Sequence, residues 1–194
     1  DTVSQCSPRE SFPYLWSDLD RSFAATGMVE LLDISTVMAQ PNPELFALTL
    51  TCLFLLEQYD SFLVLGAYAL RLMMLLGYRP RLGECAECGA SISGDHLFFS
   101  SDAGGTLCTQ CRETYSGRWI RAGSVAFMRQ LIRADITKID RLRWNAWMQQ
   151  EILETLRLYL EYKFERPLKS WRMGSLTRND VGRQTNREEG KKFE

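Results

Sequence analysis

The chain has 194 residues, of which 45% are hydrophobic and 24% charged, with a formal net charge of −1. That length buries one good core with room for a small insert, and the composition is that of a folded domain rather than a low-complexity or collagen-like chain. The longest apolar runs, "LFALTLTCLFLL" and "FLVLGAYALRLMMLLGY", are too short or too interrupted to span a bilayer, and the opening "DTVSQCSPRESFPY" lacks the apolar core of an export signal.

No Met opens the chain, so residues 1–13 read as a linker remnant of something removed upstream. Residues 14–84 are expected to form the first part of a helical domain. "YLWSDLDRSFAATG" spaces Leu15, Leu19 and Phe23 at four-residue intervals, with Gly27 as a stop. A second short helix, "MVELLDISTVMAQ", ends before the two-proline turn "PNPE". Pro43 then opens a helix carrying Leu45, Phe46, Leu48, Thr49, Cys52, Leu53 and Leu56. Asp60 and Ser61 offer a cap for the next helix, which runs to about Gly77. It is apolar nearly all round, the mark of a central buried helix. Its single charge, Arg71, reads as a snorkelled or paired cation in preference to a ligand contact.

Residues 85–111 form an insert with four of the six cysteines: Cys85 and Cys88, then nineteen residues, then Cys108 and Cys111. Each C-x-x-C pair closes a tight knuckle whose backbone N–H groups point at sulfur. Four thiolates give a closed tetrahedral shell suited to a structural Zn2+, with no position left for substrate or water. Gly89 permits the left-handed residue of the first knuckle. "HLFFSS" reads as a strand, "DAGG" as a turn and "TLC" as a returning strand. A thioredoxin-like redox pair needs one C-x-x-C at a helix start, and a rubredoxin-like iron site shares the spacing but not the surroundings. Absence of an export signal favours metal over disulfides. His96, the only histidine, is expected on the strand's exposed face; Cys52 reads as a small core residue and Cys6 as part of a flexible lead.

Residues 112–172 are expected to complete the helical domain. "GSVAFMRQLIRAD" is an amphipathic helix with Arg129 and Arg133 one turn apart, and "TKIDRLRW" is a connection. "NAWMQQEILETLRLYLEYKFE" is a long helix with Met148, Ile152, Leu156 and Tyr159 on one stripe, stopped by Pro167. Residues 173–194 are polar with charges of both signs and read as a disordered tail. The predicted fold class is therefore mainly α: a helical bundle with an inserted four-cysteine zinc finger carrying a short β-hairpin.

Charge is unevenly spread: net −5 over residues 1–84, −3 over 85–111, +6 over 112–172 and +1 over 173–194. "RWIRAG" and "RLRWNAW" interleave Arg118, Arg121, Arg141 and Arg143 with Trp119, Trp144 and Trp147. Cations beside stacking rings suit nucleic acid. The competing reading has solvated arginines, with Trp119 and Trp147 packed into the core beside the finger. "RPLKSWR" adds Arg166, Lys169 and Arg172, suited to a phosphate contact or to capping a helix C-terminus. Nothing in the sequence makes an enzyme: there is no G-x-S-x-G, H-E-x-x-H, phosphate loop or G-x-G-x-x-G. Asp18 and Asp20 sit in an ordinary amphipathic helix. A binding or scaffold role is favoured.

"FPYLWSDLDRSFAATGMVELLD", "PNPELFALTLTCLFLLE", "LRLMMLLGYRPRLGECAECG", "FFSSDAGGTLCTQC" and "LYLEYKFERPLKS", in this order over roughly residues 14–172, resemble the RecO family of bacterial recombination mediators. The resemblance implies a helical C-terminal region with an inserted zinc finger, whose ligands carry over as Cys85, Cys88, Cys108 and Cys111. It also implies binding of single- and double-stranded DNA, strand annealing, RecA loading, and association with RecR and with the acidic tail of single-strand-binding protein. It implies no catalysis, no membrane partner, and a cytoplasmic, nucleoid-associated place in a bacterial cell. Lys169 and Ser170 match the family's ending, whereas Trp171 stands where a more polar or basic residue is expected. Family members carry an N-terminal OB-fold for single strands that these residues do not include, which puts annealing by this chain alone in question.

Two functions follow. In the first, Arg118, Arg121, Arg129, Arg133, Arg141, Arg143, Lys169 and Arg172 line a DNA path on a mediator. In the second, the helical body is a scaffold that docks RecR or the single-strand-binding protein tail without binding DNA. A continuous stripe of arginines favours the first; a ring of arginines around an apolar pocket favours the second. A zinc-ribbon transcription regulator would need a separate DNA-reading helix, and none is visible.

Overall fold

Helix starts in this chain are fixed by short polar side chains that satisfy the first free backbone N–H groups. In a computed structural model describing residues 5–36 and 40–172, the side chains of Asp18, Asn42, Asp60 and Asn145 each accept a hydrogen bond from the backbone N–H three residues on. They start α1 (Leu19–Ser35), α2 (Pro43–Leu55), α3 (Ser61–Leu75) and α5 (Ala146–Phe164). Helix α4 (Ala122–Arg133) follows directly from a strand and has no such cap. A single 3-10 turn precedes α1 and another, Ile136–Arg141, joins α4 to α5.

Helix α3 is the axis of the body. It contacts α1, α2, α4 and α5, and every residue from Ser61 to Leu70 is buried. The one polar contact at its centre is satisfied: Tyr68 Oη lies 3.1 Å from Thr49 Oγ1 on α2, which also donates to the Leu45 carbonyl. Cys52 is fully buried beside them, and burial pushes its thiol up to about 12, making it a small core residue. Arg71, half-buried near the end of α3, turns its guanidinium to the carbonyl of Ala134 just beyond the end of α4. It is hydrogen-bonded to the end of α4 and has no ion pair among the described residues. Among the described residues no helix is long and apolar enough to cross a membrane.

The two short helices expected over residues 14–40 are a single helix, α1, and Gly27 does not stop it. Its lack of a side chain serves packing instead. A Cβ at Gly27 would lie 3.1 Å from Trp171 Nε1 and 3.3 Å from Leu65 Cδ1. Trp171 Nε1 donates to the Gly27 carbonyl at 3.4 Å, and Glu30, one turn on, accepts from the backbone N–H groups of Lys169 and Ser170. The last helical turn, residues 169–172, is therefore docked on α1, which is why an indole occupies position 171. Helix α5 ends at Phe164, with Glu165 left-handed (φ 54°), before Pro167. The polar tail of residues 173–194 and the segment 37–39 lie outside the described residues, as do residues 1–4 of the expected linker.

Between α3 and α4 the chain forms a small antiparallel sheet of order β2-β1-β3: β1 His96–Ser100, β2 Gly105–Leu107 and β3 Arg118–Arg121. The hairpin β1–β2 is the predicted one, turning at Gly104 (φ 79°). The third strand is an addition. "RWIR" pairs with β1, placing Trp119 opposite Phe98 and Arg121 opposite His96. Leu97, Phe99 and Ile120 point inward and are buried against the helices, with the Phe99 ring edge-on to Tyr159 of α5 at 5.6 Å.

Candidate metal centre and arginine pocket

The first knuckle hangs from the turn that follows α3. Cys85 N–H donates to the Ala90 carbonyl at 2.8 Å, and Gly89 closes the turn with φ 73°. The second knuckle leaves β2 and closes into a 3-10 turn, Cys111–Thr114. The two meet so that the sulfurs of Cys85, Cys88, Cys108 and Cys111 all lie within 4.8 Å of one another. Zinc bound at ~2.3 Å to four thiolates has sulfur–sulfur edges of about 3.8 Å. The Cys88–Cys108 separation is 3.8 Å.

The electrostatics divide the four thiols: Cys85 and Cys108 are drawn down, Cys88 and Cys111 pushed up. Burial disfavours a thiolate at Cys85, but backbone N–H groups of Cys108, Cys88 and Glu87 outweigh it and bring the thiol down to about 6. Cys111, crowded by the thiols of Cys108 and Cys88, is pushed up to about 12. All four can be thiolates together only with a cation between them. Burial falls from Cys85, fully inside, to Cys88, exposed, so the centre sits at the rim of the body. His96 is exposed on β1, as expected, and is not among the clustered ligands.

The same turn builds a second feature. The backbone of Arg81 is bridged to Gly105: its N–H donates to the Gly104 carbonyl, and its carbonyl accepts from Thr106 N–H at 2.9 Å. A Cβ at Gly105 would sit 2.1 Å from the Arg81 carbonyl oxygen, so only glycine fits there. Thr106 Oγ1 also lies 3.2 Å from both the Arg81 and Glu84 carbonyls. Held in this way, residues 79–84 face the outer side of α4 across a cavity of about 330 Å³. Arg79, Arg81, Arg129 and Arg133 surround it, with Leu82 and Ile132 in its lining and Glu84 as its only acid. Among the described residues the side chains of Arg79, Arg129 and Arg133 have no hydrogen bond or ion pair. Guanidinium groups left unpaired around a cavity repel one another and favour an anionic occupant.

The structure brings only part of the predicted cationic set together. Arg129 and Arg133 share the pocket. Arg118 is tied to Glu154 at 3.3 Å and Arg172 to Glu161 at 3.2 Å. Arg141 and Arg143 are exposed on the connection before α5, and Lys169 is exposed on the last turn. Trp119 and Trp147, expected in the core, are instead on the surface, 49% and 41% exposed. Trp144 is the inward one, stacked on Phe127 at 5.6 Å. Arg79 and Arg81 were missed by sequence reasoning; two arginines flanking Pro80 immediately before a knuckle were the available signal.

Fold and site together define a helical domain interrupted by a four-cysteine finger. The chain belongs to the family described as Recombination protein O C terminal, whose model matches residues 16–172. It is 54% identical over 179 residues to the DNA repair protein RecO of Desulfitobacterium hafniense, covering 90% of this chain and 66% of that protein. Proteins of the same name from Pelotomaculum thermopropionicum and Desulforamulus reducens are 37% and 33% identical. The matches cover 88% and 96% of this chain and 67% and 73% of those two proteins, so the chain spans about two thirds of its curated relatives.

Proposed function

We propose that this chain is the helical and finger region of a DNA-repair recombination mediator, and that it holds anionic partners through its arginine pocket. The observation that carries this is the convergence of Arg79, Arg81, Arg129 and Arg133 on one cavity. In this reading Cys85, Cys88, Cys108 and Cys111 hold a structural Zn2+. Bound there, the ion supplies a cross-link and no open coordination position. The backbone bonds from Arg81 to β2 then carry the finger's order into the pocket. Single- and double-stranded DNA, RecR and the acidic tail of single-strand-binding protein are the partners we infer. Annealing and RecA loading belong to the whole mediator. Arg121, Arg129, Arg133, Arg141, Arg143 and Lys169 are available to phosphates; Arg118 and Arg172 would first have to leave Glu154 and Glu161.

A second reading is supported by the shape of the site. Arginines that ring a cavity lined by Leu82 and Ile132 suit a short acidic peptide with an apolar end as well as they suit a phosphate. The test is fluorescence anisotropy of a labelled single-stranded oligonucleotide and of a labelled acidic tail peptide, at low and near-physiological salt. Oligonucleotide affinity is expected to fall by about 0.7 log unit per log of salt for each phosphate held. The double variant R129E/R133E is expected to weaken it at least about tenfold. Loss of the peptide alone selects the scaffold; loss of neither removes the pocket from the function.

A further inference from the structure

Strand alternation sends Leu97, Phe99 and Ile120 into the core and leaves His96, Phe98, Trp119 and Arg121 on the other face of the finger sheet. Large rings are normally a small domain's main source of buried area. Here Trp119 and Trp147 stay outside, and each lies against an arginine that has no ion pair among the described residues. The Arg112 guanidinium carbon is 5.0 Å from the Trp119 ring centre, and that of Arg121 is 4.1 Å from Trp147 at the start of α5. Arg112 Nε is buried there without a hydrogen-bond partner.

Phe98 meets Trp119 edge-on at 5.5 Å, with an interplanar angle of 76°. Gly117 lets the strand pass against it, since a Cβ there would lie 2.3 Å from the Phe99 carbonyl oxygen and 2.7 Å from the Phe98 ring. Arg121 joins the two indoles: it shares a sheet face with Trp119 and stacks on Trp147.

We infer that this face of the finger, Trp119 and Trp147 with Arg112 and Arg121, is a stacking platform for the unpaired bases of single-stranded nucleic acid. The inference rests on the proposed DNA role and adds a second contact surface to it. Indole faces gain from a ligand that presents its own flat rings, and the adjacent guanidinium groups gain from phosphates between those rings. A duplex hides its base faces in the stack, and an acidic peptide brings charge without rings. Single strands supply both.

The test uses the full zinc-loaded chain and three labelled oligomers of equal length: oligo-dT, an abasic strand with the same phosphates, and a hairpin duplex. Tryptophan substitution, W119A or W147A, is expected to weaken oligo-dT by about tenfold each, with W119F closer to the parent. The salt slope should stay unchanged, because stacking releases no counterions. The abasic strand should bind the parent about as weakly as oligo-dT binds W119A/W147A. Circular dichroism checks that the variants remain folded, as exposed positions predict. Equal binding of oligo-dT by parent and double variant, or of abasic and dT strands by the parent, overturns this inference and leaves the pocket reading intact. No binding of any strand by the parent overturns both.

Discussion

Twelve of the fifteen residues of α3 are buried, whereas of the four finger cysteines only Cys85 is. The two regions are adjacent in sequence and solve the same problem differently. Helix α3 gives up its surface to four neighbouring helices, and its stability is apolar area removed from water. The finger has one sheet face against the body and another face in solvent, too little to hold two knuckles by packing. In the proposed reading its order comes from ligation by the clustered cysteines. A region held by burial tolerates loss of any ion and not of a methyl group; a region held by ligation does the reverse.

The largest effect should therefore come from taking the cation away. For zinc-finger peptides metal binding is worth about 10–16 kcal/mol and is folding free energy. With zinc loaded, excess chelator or the substitution C85S is expected to disorder β2 and both knuckles. Far-UV circular dichroism should keep most of its helical signal, since the helices close their core without the knuckles. Arginine-pocket binding should fall with the metal, because Arg81 is held by Gly104 and Thr106. Collapse of the helical signal on chelation would break the division between the two regions.

A smaller effect, confined to the body, is expected of L70A. Leu70 is fully buried on α3, and truncation of such a leucine costs about 2–5 kcal/mol. Urea denaturation should show it as a lower midpoint at unchanged slope, while zinc stoichiometry in the folded state stays the same. A change in zinc content instead would mean that α3 and the finger share more than a border.

The same contrast explains what the sequence discloses. An all-round apolar run after Asp60 announces α3, because burial leaves a compositional trace in a local window. The knuckles are legible because metal ligation fixes spacing. Gly27 misleads because a glycine can end a helix or admit a neighbour, and its neighbours, Leu65 and Trp171, are distant in the chain. Strand β3 was hidden in "RWIR", whose alternation of charge and ring fits a strand edge as well as a basic loop; only pairing with β1 decides. The pocket was half legible. Arg129 and Arg133 share a helix face at helical spacing, but Arg79 and Arg81 reach them through a bridge to Gly105, which no local pattern encodes.

The finest test lies at the joint. Glu151 belongs to α5, yet its carboxylate accepts from the backbone N–H of Arg121, at the end of β3, at 3.2 Å and from the hydroxyl of Ser124 in the first turn of α4. It ties the end of β3 to the first turn of α4, and its charge suits a helix N-terminus. The substitution E151A leaves the fully buried Ser124 hydroxyl without that partner, at a cost of about 1–3 kcal/mol. E151Q keeps an acceptor and should cost less, about 0.3–1 kcal/mol of the charge–dipole contribution. Measured by urea denaturation with zinc loaded and with zinc chelated, the two variants report what the joint serves. The Ser124 bond lies within the body and survives loss of the finger; the Arg121 bond depends on β3 staying paired. A penalty that shrinks on chelation places Glu151 between the two regions. An equal penalty in both states means that Glu151 serves α4 alone.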